Sequence, residues 1–158
     1  LFLCFLDSDD TWLPEKMTVQ AKVIEEDFNF IATGYKQHSF NVVPVKKIYS
    51  DEDFLCKLGI GASTVVVSRD LVGKTRFTDR DKSQDTIFWF ELFKKPSVRY
   101  IGLERVLALY FPSERTSNKF SAVFDYWKLL NNLGFYGFKR INIFIQYLLK
   151  SFKRYFLY

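Results

Sequence analysis

The chain has 158 residues, of which 19% are aromatic, and a formal net charge of +5. This length suits one domain that buries about 70% of the surface of its unfolded chain. Two cysteines and one histidine, without metal-ligand spacing, exclude a disulfide framework and a structural zinc site. Every apolar run is too short to cross a membrane as a helix.

An apolar run followed by carboxylates opens the chain. Residues 1–6 are apolar, and Asp7, Asp9 and Asp10 come next. Such a run predicts a fully buried, parallel strand. Ligands of open α/β sheets bind at the carboxyl ends of strands, and buried carboxylates need a cation or hydrogen-bond donors. The motif therefore predicts a site at the end of this strand. The alternative is a turn and N-cap before a helix that begins near Pro14.

Helices and strands alternate along the rest of the chain. Apolar periodicity and capping signals predict helices at residues 15–26, 51–58, 84–95, 121–132 and 138–156. β-Branched and aromatic runs predict a hairpin of strands at 30–35 and 42–49, a buried strand at 62–68, and a strand pair or one bent strand at 98–110. Residues 70–81 and 112–119 are predicted as loops, and Cys4 and Cys56 as buried thiols. This order indicates the α/β class.

The positive charge lies in the C-terminal region. Residues 126–158 contain six cations and no anion, so the preceding part of the chain is close to neutral. The last predicted helix has an apolar stripe with cations beside it, formed by Phe138, Ile141, Ile145, Leu148, Leu149, Phe152, Tyr155 and Phe156. Either this helix packs on the domain with a solvated basic face, or residues 138–156 lie on an anionic membrane surface. We expect no nucleic-acid partner.

Clustered aspartates suit several chemistries. Counting from Asp7, positions 6 and 12 hold Trp12 and Thr18 instead of the Gly and Glu of an EF-hand, which excludes that site. Asp7, Asp9 and Thr11 match the D-x-D-x-T motif of haloacid-dehalogenase-like phosphatases, with Asp7 as nucleophile and Asp9 as acid/base. No Gly-Asp dipeptide follows, although those enzymes use one. The phosphatase stays open as an alternative, but the resemblance to it is limited to the five residues 7–11.

The longer motif points to glycosyl transfer. Residues 7–16 read DSDDTWLPEK, and Gln20 follows. This run strongly resembles the central motif of family 2 glycosyltransferases of the GT-A fold. Residues 62–71, Phe77, the pair Gln84-Asp85, the aromatic run 88–90 and segments within 109–119 resemble the same family in the expected order, over about 120 residues.

The resemblance implies a GT-A-like (Rossmann-like) α/β fold, with a mixed sheet flanked by helices and a C-terminal helical extension. Residues 1–120 would form a partial catalytic domain, and residues 121–158 a basic aromatic helical region. The family's first strands, which hold the nucleotide base, are not in this sequence. We therefore expect the chain to be incomplete at its N-terminus and inactive alone.

The resemblance also assigns roles to site residues. Asp9 would bind a divalent metal, Mg²⁺ or Mn²⁺, and Asp7 would contact the metal or the nucleotide ribose. Asp10 would cap the next helix or orient the site. Asp85 would be the general base of an inverting transfer. Gln84 stands where the family usually has Glu, and Phe111 and Ser113 stand where many members have Arg and His.

The expected function is transfer of a sugar from a nucleotide-sugar donor to a polysaccharide or lipid-linked acceptor during cell-envelope polysaccharide biosynthesis. The expected location is cytoplasmic, peripheral at the inner face of the cell membrane. Two alternatives stay open: the phosphatase that uses Asp7, and a non-catalytic module that binds a membrane or a partner.

Overall fold

A mixed sheet lies at the centre of the fold. The computed structural model describes residues 1–37, 42–45, 50–57, 60–78, 83–111 and 119–156. Its strands are β1 (Phe2–Cys4), β2 (Thr11–Trp12), β3 (Phe30–Gln37), β4 (Val42–Val43), β5 (Val66–Ser68) and β6 (Tyr100–Tyr110). In the described residues the strand order is β1-β5-β3-β6-β2, with β4 beside β3. β3 and β6 are parallel, and the other pairs are antiparallel.

The helices flank this sheet. They are α1 (Lys16–Glu25), α2 (Asp51–Lys57), α3 (Arg69–Val72), α4 (Gln84–Phe93), α5 (Lys119–Asn132) and α6 (Gly137–Phe156), with a 3₁₀ helix at Ala62–Thr64. The five predicted helices are confirmed to within a few residues. No helix in the described part of the chain combines the length and apolarity needed to cross a bilayer.

The first strand differs from its prediction. β1 has three residues, all half-buried, and runs antiparallel to β5, so the prediction of a fully buried parallel strand is wrong. Leu1 and Leu6, at the ends of the apolar run, are 79% and 50% exposed. Among the described residues β1 pairs with β5 alone. Apolar character predicted a strand, but it did not identify the strand's neighbours or their direction.

Two other predictions need smaller corrections. Residues 62–68 are a 3₁₀ helix followed by β5 instead of one strand. The predicted loop at 70–81 begins with α3, because the Ser68 side chain accepts a hydrogen bond from the Leu71 amide and caps a helical turn. The predicted loop at 112–119 lies outside the described residues except for Lys119. Leu58, at the end of a predicted helix, and residues 46–49, in a predicted strand, also lie outside them.

The 98–110 segment is one bent strand. β6 pairs with β3 along its length, and the register shifts on both sides of Gly34. A Cβ atom at Gly34 would lie 3.1 Å from the Val43 carbonyl oxygen and 3.2 Å from that of Arg105. Glycine therefore permits the close approach of three strands at this bulge.

Aromatic residues fill the core between the sheet and the helices. Phe30 of β3 lies 5.6 Å from Trp89, 5.0 Å from Phe93 and 5.5 Å from Tyr100, measured between ring centroids. The core extends through Leu129 and Leu130 of α5 to Ile143 of α6. Cys56 is buried as predicted, whereas Cys4 is only half-buried. This packing fixes α4 against the sheet and thus fixes the start of α4 near residues 7–10, which we call the acidic loop.

The described part of the predicted α6 stripe, residues 138–149, is largely exposed; the side chains of Phe152, Tyr155 and Phe156 lie outside the description. Ile143 is 1% exposed, and Tyr147 stacks on Tyr126 of α5 with 3.7 Å between ring centroids. The opposite side of α6 carries exposed apolar residues, which we call the outer face: Phe138, Ile141, Ile145 and Leu149. The described contacts of α6 with the domain are therefore made by residues outside the predicted stripe, among them Ile143 and Tyr147.

Candidate functional site

One cavity brings distant acidic residues together. It has a volume of about 280 Å³ and lies where the acidic loop, the 3₁₀ helix, the start of α4 and the end of β6 meet. Its lining residues are Asp7, Asp10, Tyr35, Ile60, Gly61, Ala62, Ser63, Thr64, Asp85, Thr86, Ala108 and Tyr110. Of the predicted site residues, Asp7 and Asp85 line the cavity, and Asp9 is exposed on the same loop.

Hydrogen bonds from three segments hold the acidic loop. The Asp10 amide donates to the Asp7 carbonyl oxygen over 3.1 Å and closes a turn. The Ser63 hydroxyl donates to Asp10 Oδ2 over 2.5 Å and accepts from the Asp7 amide over 3.1 Å. Asp10 Oδ1 accepts from the Phe111 amide over 3.2 Å. Asp10 does not cap α1, because the N-cap residue is Glu15 and it makes no side-chain cap bond. Of its two predicted roles, orientation of the site is the one that these contacts favour.

The cavity is strongly acidic. Burial raises the pKa of Asp7, and the neighbouring carboxylates of Asp10, Asp9 and Asp85 raise it further. The pKa of Tyr110 is raised by burial and by the same carboxylates. Because each ionised carboxylate is unfavourable beside the others, a cation bound among them would be stabilised.

Asp85 lies in the first turn of α4, half-buried. Its Oδ1 accepts a hydrogen bond from the Thr86 amide over 2.7 Å. Burial raises the pKa of Asp85, although the hydrogen bonds from Thr86 oppose that shift. A carboxylate with a raised pKa at the edge of a cavity is suited to accept a proton.

A series of hydrogen-bonded polar side chains supports the 3₁₀ helix that lines the cavity. Lys16 is fully buried, its Nζ donates to Gln20 Oε1 over 2.6 Å, and Gln20 Nε2 donates to the Thr64 carbonyl oxygen over 3.0 Å. The Lys16 Nζ also lies 4.4 Å from the Trp12 ring centroid, and burial lowers the pKa of Lys16 to about 8. Sequence reasoning missed these contacts. The four-residue spacing of Trp12, Lys16 and Gln20 was the available signal.

The acidic loop offers oxygen donors for a metal ion but no complete set of ligands. In the described part of the chain no group of three or more His, Cys, Asp or Glu residues is arranged to hold a metal ion. The carboxylates of Asp7 and Asp9 are nevertheless oxygen donors of the kind that Mg²⁺ and Mn²⁺ prefer. Both oxygens of Asp10 are already engaged by protein donors. By donor chemistry, Asp7 and Asp9 are the residues that would hold a divalent cation, and other ligands would have to complete its coordination.

Comparison with known proteins finds relatives that are named as glycosyltransferases. No protein-family model matches the chain. The chain is 29% identical over 163 residues to TuaG of Bacillus subtilis (strain 168), named as a teichuronic acid biosynthesis glycosyltransferase. It is 27% identical over 162 residues to WfgD of Escherichia coli, named as a UDP-Glc:alpha-D-GlcNAc-diphosphoundecaprenol beta-1,3-glucosyltransferase. The chain is thus similar over most of its length to two proteins named as glycosyltransferases.

Both matches include 97% of this chain, which spans 64% of TuaG and 63% of WfgD. The fold agrees with a solved structure, S. aureus TarS 1–349, with a TM-score of 0.60 at 15% identity over 93% of this chain and 45% of that one. The predicted resemblance of this chain to glycosyltransferases and its predicted GT-A-like fold are thereby confirmed.

Proposed function

We propose that the protein transfers a sugar from a nucleotide-sugar donor to a glycan or lipid-linked acceptor. The observation that carries this proposal is the convergence of Asp7 and Asp85, 78 positions apart, on one acidic cavity of a chain that is similar to glycosyltransferases. The names of the relatives support the substrate classes, since WfgD is named for UDP-Glc and a diphosphoundecaprenol-linked acceptor and TuaG for teichuronic acid biosynthesis. The same names favour glycosyl transfer over phosphoryl transfer by Asp7.

Asp7 and Asp9 would hold the donor through a divalent cation, Mg²⁺ or Mn²⁺. When bound, that cation supplies positive charge to a diphosphate leaving group. The carboxylates of Asp9, Asp10 and Asp85 around Asp7 favour such a cation, because it relieves their mutual repulsion.

Asp85 would act as the general base. The acceptor hydroxyl oxygen forms a bond to the anomeric carbon, the bond from that carbon to the diphosphate oxygen breaks, and the hydroxyl proton moves to Asp85. One displacement by one nucleophile inverts the anomeric carbon. The raised pKa of Asp85 supports this role, since a base is most effective when its pKa approaches the working pH.

We also propose that α6 rests on an anionic membrane at the cytoplasmic face. The outer face is apolar and exposed: Phe138 is 85% exposed, Leu149 65%, Ile145 48% and Ile141 47%. Residues 126–158 carry six cations and no anion, which suits anionic lipid head groups. Such a surface would bring the site close to a lipid-linked acceptor.

Metal-dependent nucleotide binding tests the transferase proposal. Because the chain is expected to be inactive alone, the protein used here and in the experiments below is the full gene product, with any residues encoded before Leu1. It is titrated with UDP in the presence and absence of Mn²⁺ by calorimetry, beside the variants Asp9→Asn and Asp70→Asn. Asp70 is an exposed aspartate on α3 outside the cavity and serves as the matched control. We expect binding that requires Mn²⁺, is lost in Asp9→Asn and is retained in Asp70→Asn. Absence of metal-dependent binding to UDP, GDP and TDP would overturn the mechanism and favour a non-catalytic module.

A further inference from the structure

The Ser63 hydroxyl connects two members of the acidic loop. It lies between Asp10 Oδ2, to which it donates, and the Asp7 amide, from which it accepts. Ser63 is 2% exposed and sits in the 3₁₀ helix, more than fifty positions from the loop in sequence. One side chain therefore fixes both the backbone at Asp7 and the carboxylate of Asp10.

The 3₁₀ helix that carries Ser63 is itself held by side-chain donors. The Trp12 indole N–H donates to the Ser63 carbonyl oxygen over 2.8 Å, and Gln20 holds the next carbonyl, that of Thr64. Lys16 in turn holds Gln20. Lys16 and Gln20 of α1 are fully buried and Trp12 of β2 is half-buried, so the hydroxyl of Ser63 has a rigid support.

Asp10 extends the connection to the end of β6. With Oδ2 on Ser63 and Oδ1 on the Phe111 amide, Asp10 joins the acidic loop, the 3₁₀ helix and β6. The turn between Asp7 and Asp10 thus has fixed attachments on two sides.

We propose that Ser63 is a positioning residue, which holds Asp7 and Asp10 together before any cation arrives and thereby preorganises the donor site. This inference rests on the proposed function. Carboxylates at close range repel one another, so a loop without the Ser63 bridge would spread apart. The binding of a metal–nucleotide complex would then include the cost of ordering the loop.

The test compares Ser63→Ala with Ser68→Ala. Ser68 is also a buried serine whose hydroxyl accepts a backbone amide, that of Leu71, but it does not line the cavity. Two readouts are measured: hydrogen exchange of the Asp7 amide by NMR without metal, and the dissociation constant for UDP in the presence of Mn²⁺. We expect Ser63→Ala to accelerate exchange at Asp7 and to weaken UDP binding by about tenfold or more, with Ser68→Ala close to wild type.

Each other outcome counts against the proposal. If Ser63→Ala accelerates exchange at Asp7 but binds UDP as wild type does, the hydroxyl stabilises the loop without positioning the donor site. If Ser63→Ala fails to fold, Ser63→Cys, with a similar volume and a weak hydrogen-bonding group, replaces it with the same expectation. If neither variant folds, Ser63 is a folding determinant and the proposal is overturned. Wild-type protein without Mn²⁺-dependent binding would instead overturn the proposed function itself.

Discussion

At the scale of single residues, the raised pKa of Asp85, the proposed general base, also affects the stability of the fold. Its half-buried carboxyl group has a raised pKa because burial disfavours the charged form. The folded protein therefore binds this proton more tightly than the unfolded chain does. The free energy of unfolding is therefore highest, as far as Asp85 is concerned, at low pH. It decreases as the pH rises from the ordinary pKa of aspartate through the raised pKa of Asp85. At neutral pH the ionised carboxylate costs stability.

Replacement of Asp85 should separate activity from stability. We expect Asp85→Asn to lower the rate of sugar transfer by about 10²–10⁴-fold, since it removes the base. The same variant should have a higher Tm than wild type at pH 7, and the difference should disappear below the ordinary aspartate pKa of about 3.9. Thermal unfolding of both proteins across this pH range, with Asp70→Asn as control, measures the effect. A Tm difference that does not change with pH would contradict the burial argument.

The sequence predicted the carboxylates of the site better than their supports. Asp7 and Asp85 were proposed from motifs and do line one cavity, whereas Ser63 was not singled out. Its hydrogen bonds join positions that are far apart in sequence, and a pattern of nearby residues carries no information about such contacts. The burial of Lys16 was not predicted for another reason, because a lysine at the start of a helix is usually solvated.

At the scale of elements, local signals predicted more than long-range pairing did. The helices were predicted because periodicity, caps and glycine breaks are encoded within each segment. Gly134 and Gly137, for example, both have positive φ, at 80° and 56°, and separate α5 from α6. The direction and depth of β1 were wrong because they depend on β5, which lies more than sixty positions away.

Arg140 of α6 joins this helix to α5, and we call this contact the interhelical clamp. Its guanidinium lies 3.8 Å from the Trp127 ring centroid and donates to the Trp127 carbonyl oxygen over 2.7 Å and to Asn131 Oδ1 over 3.1 Å. One of the six C-terminal cations thus binds α5. Its neighbour Lys139 is exposed, with its ammonium 5.4 Å from the Phe135 ring centroid.

We expect Arg140→Met to destabilise the protein by about 1–3 kcal/mol, because it removes charge-assisted hydrogen bonds and a cation–π contact. The matched substitution Lys139→Met should cost no more than about 1 kcal/mol, since an exposed cation–π contact is weaker. Urea unfolding of the two variants measures both values. Equal losses would show that Arg140 contributes charge to the helix and does not clamp α5 to α6.

At the scale of the whole molecule, positive charge and the exposed apolar face of α6 both lie in the C-terminal region, away from the acidic residues of the cavity in sequence. The cavity has four carboxylates on or beside it, whereas the last 33 residues carry only positive charge. α6 has an inner side on the core and an apolar outer face. A helix that is apolar on two sides needs a second apolar environment, and its cations suit a lipid surface with negative head groups. The molecule would thus have an acidic catalytic part and a basic membrane-binding part.

Vesicle binding tests this arrangement. We expect the protein to cosediment with vesicles of phosphatidylcholine and phosphatidylglycerol, to bind pure phosphatidylcholine weakly, and to be released as salt is raised. Ile145→Asp with Leu149→Asp should weaken binding by about tenfold or more, because charge replaces the apolar contacts of the outer face. These side chains are exposed, so the double variant should keep the wild-type Tm.

The control is Met17→Asp, which adds one negative charge at an exposed apolar position on α1 and is compared with the single variant Leu149→Asp. It should bind vesicles as wild type does. If both variants lose binding equally, the added negative charge alone weakens attraction to the vesicle and the outer face has no specific role. If the wild-type protein fails to bind anionic vesicles at low salt, the outer face does not bind lipid. In that case the approach to a lipid-linked acceptor must depend on another part of the protein.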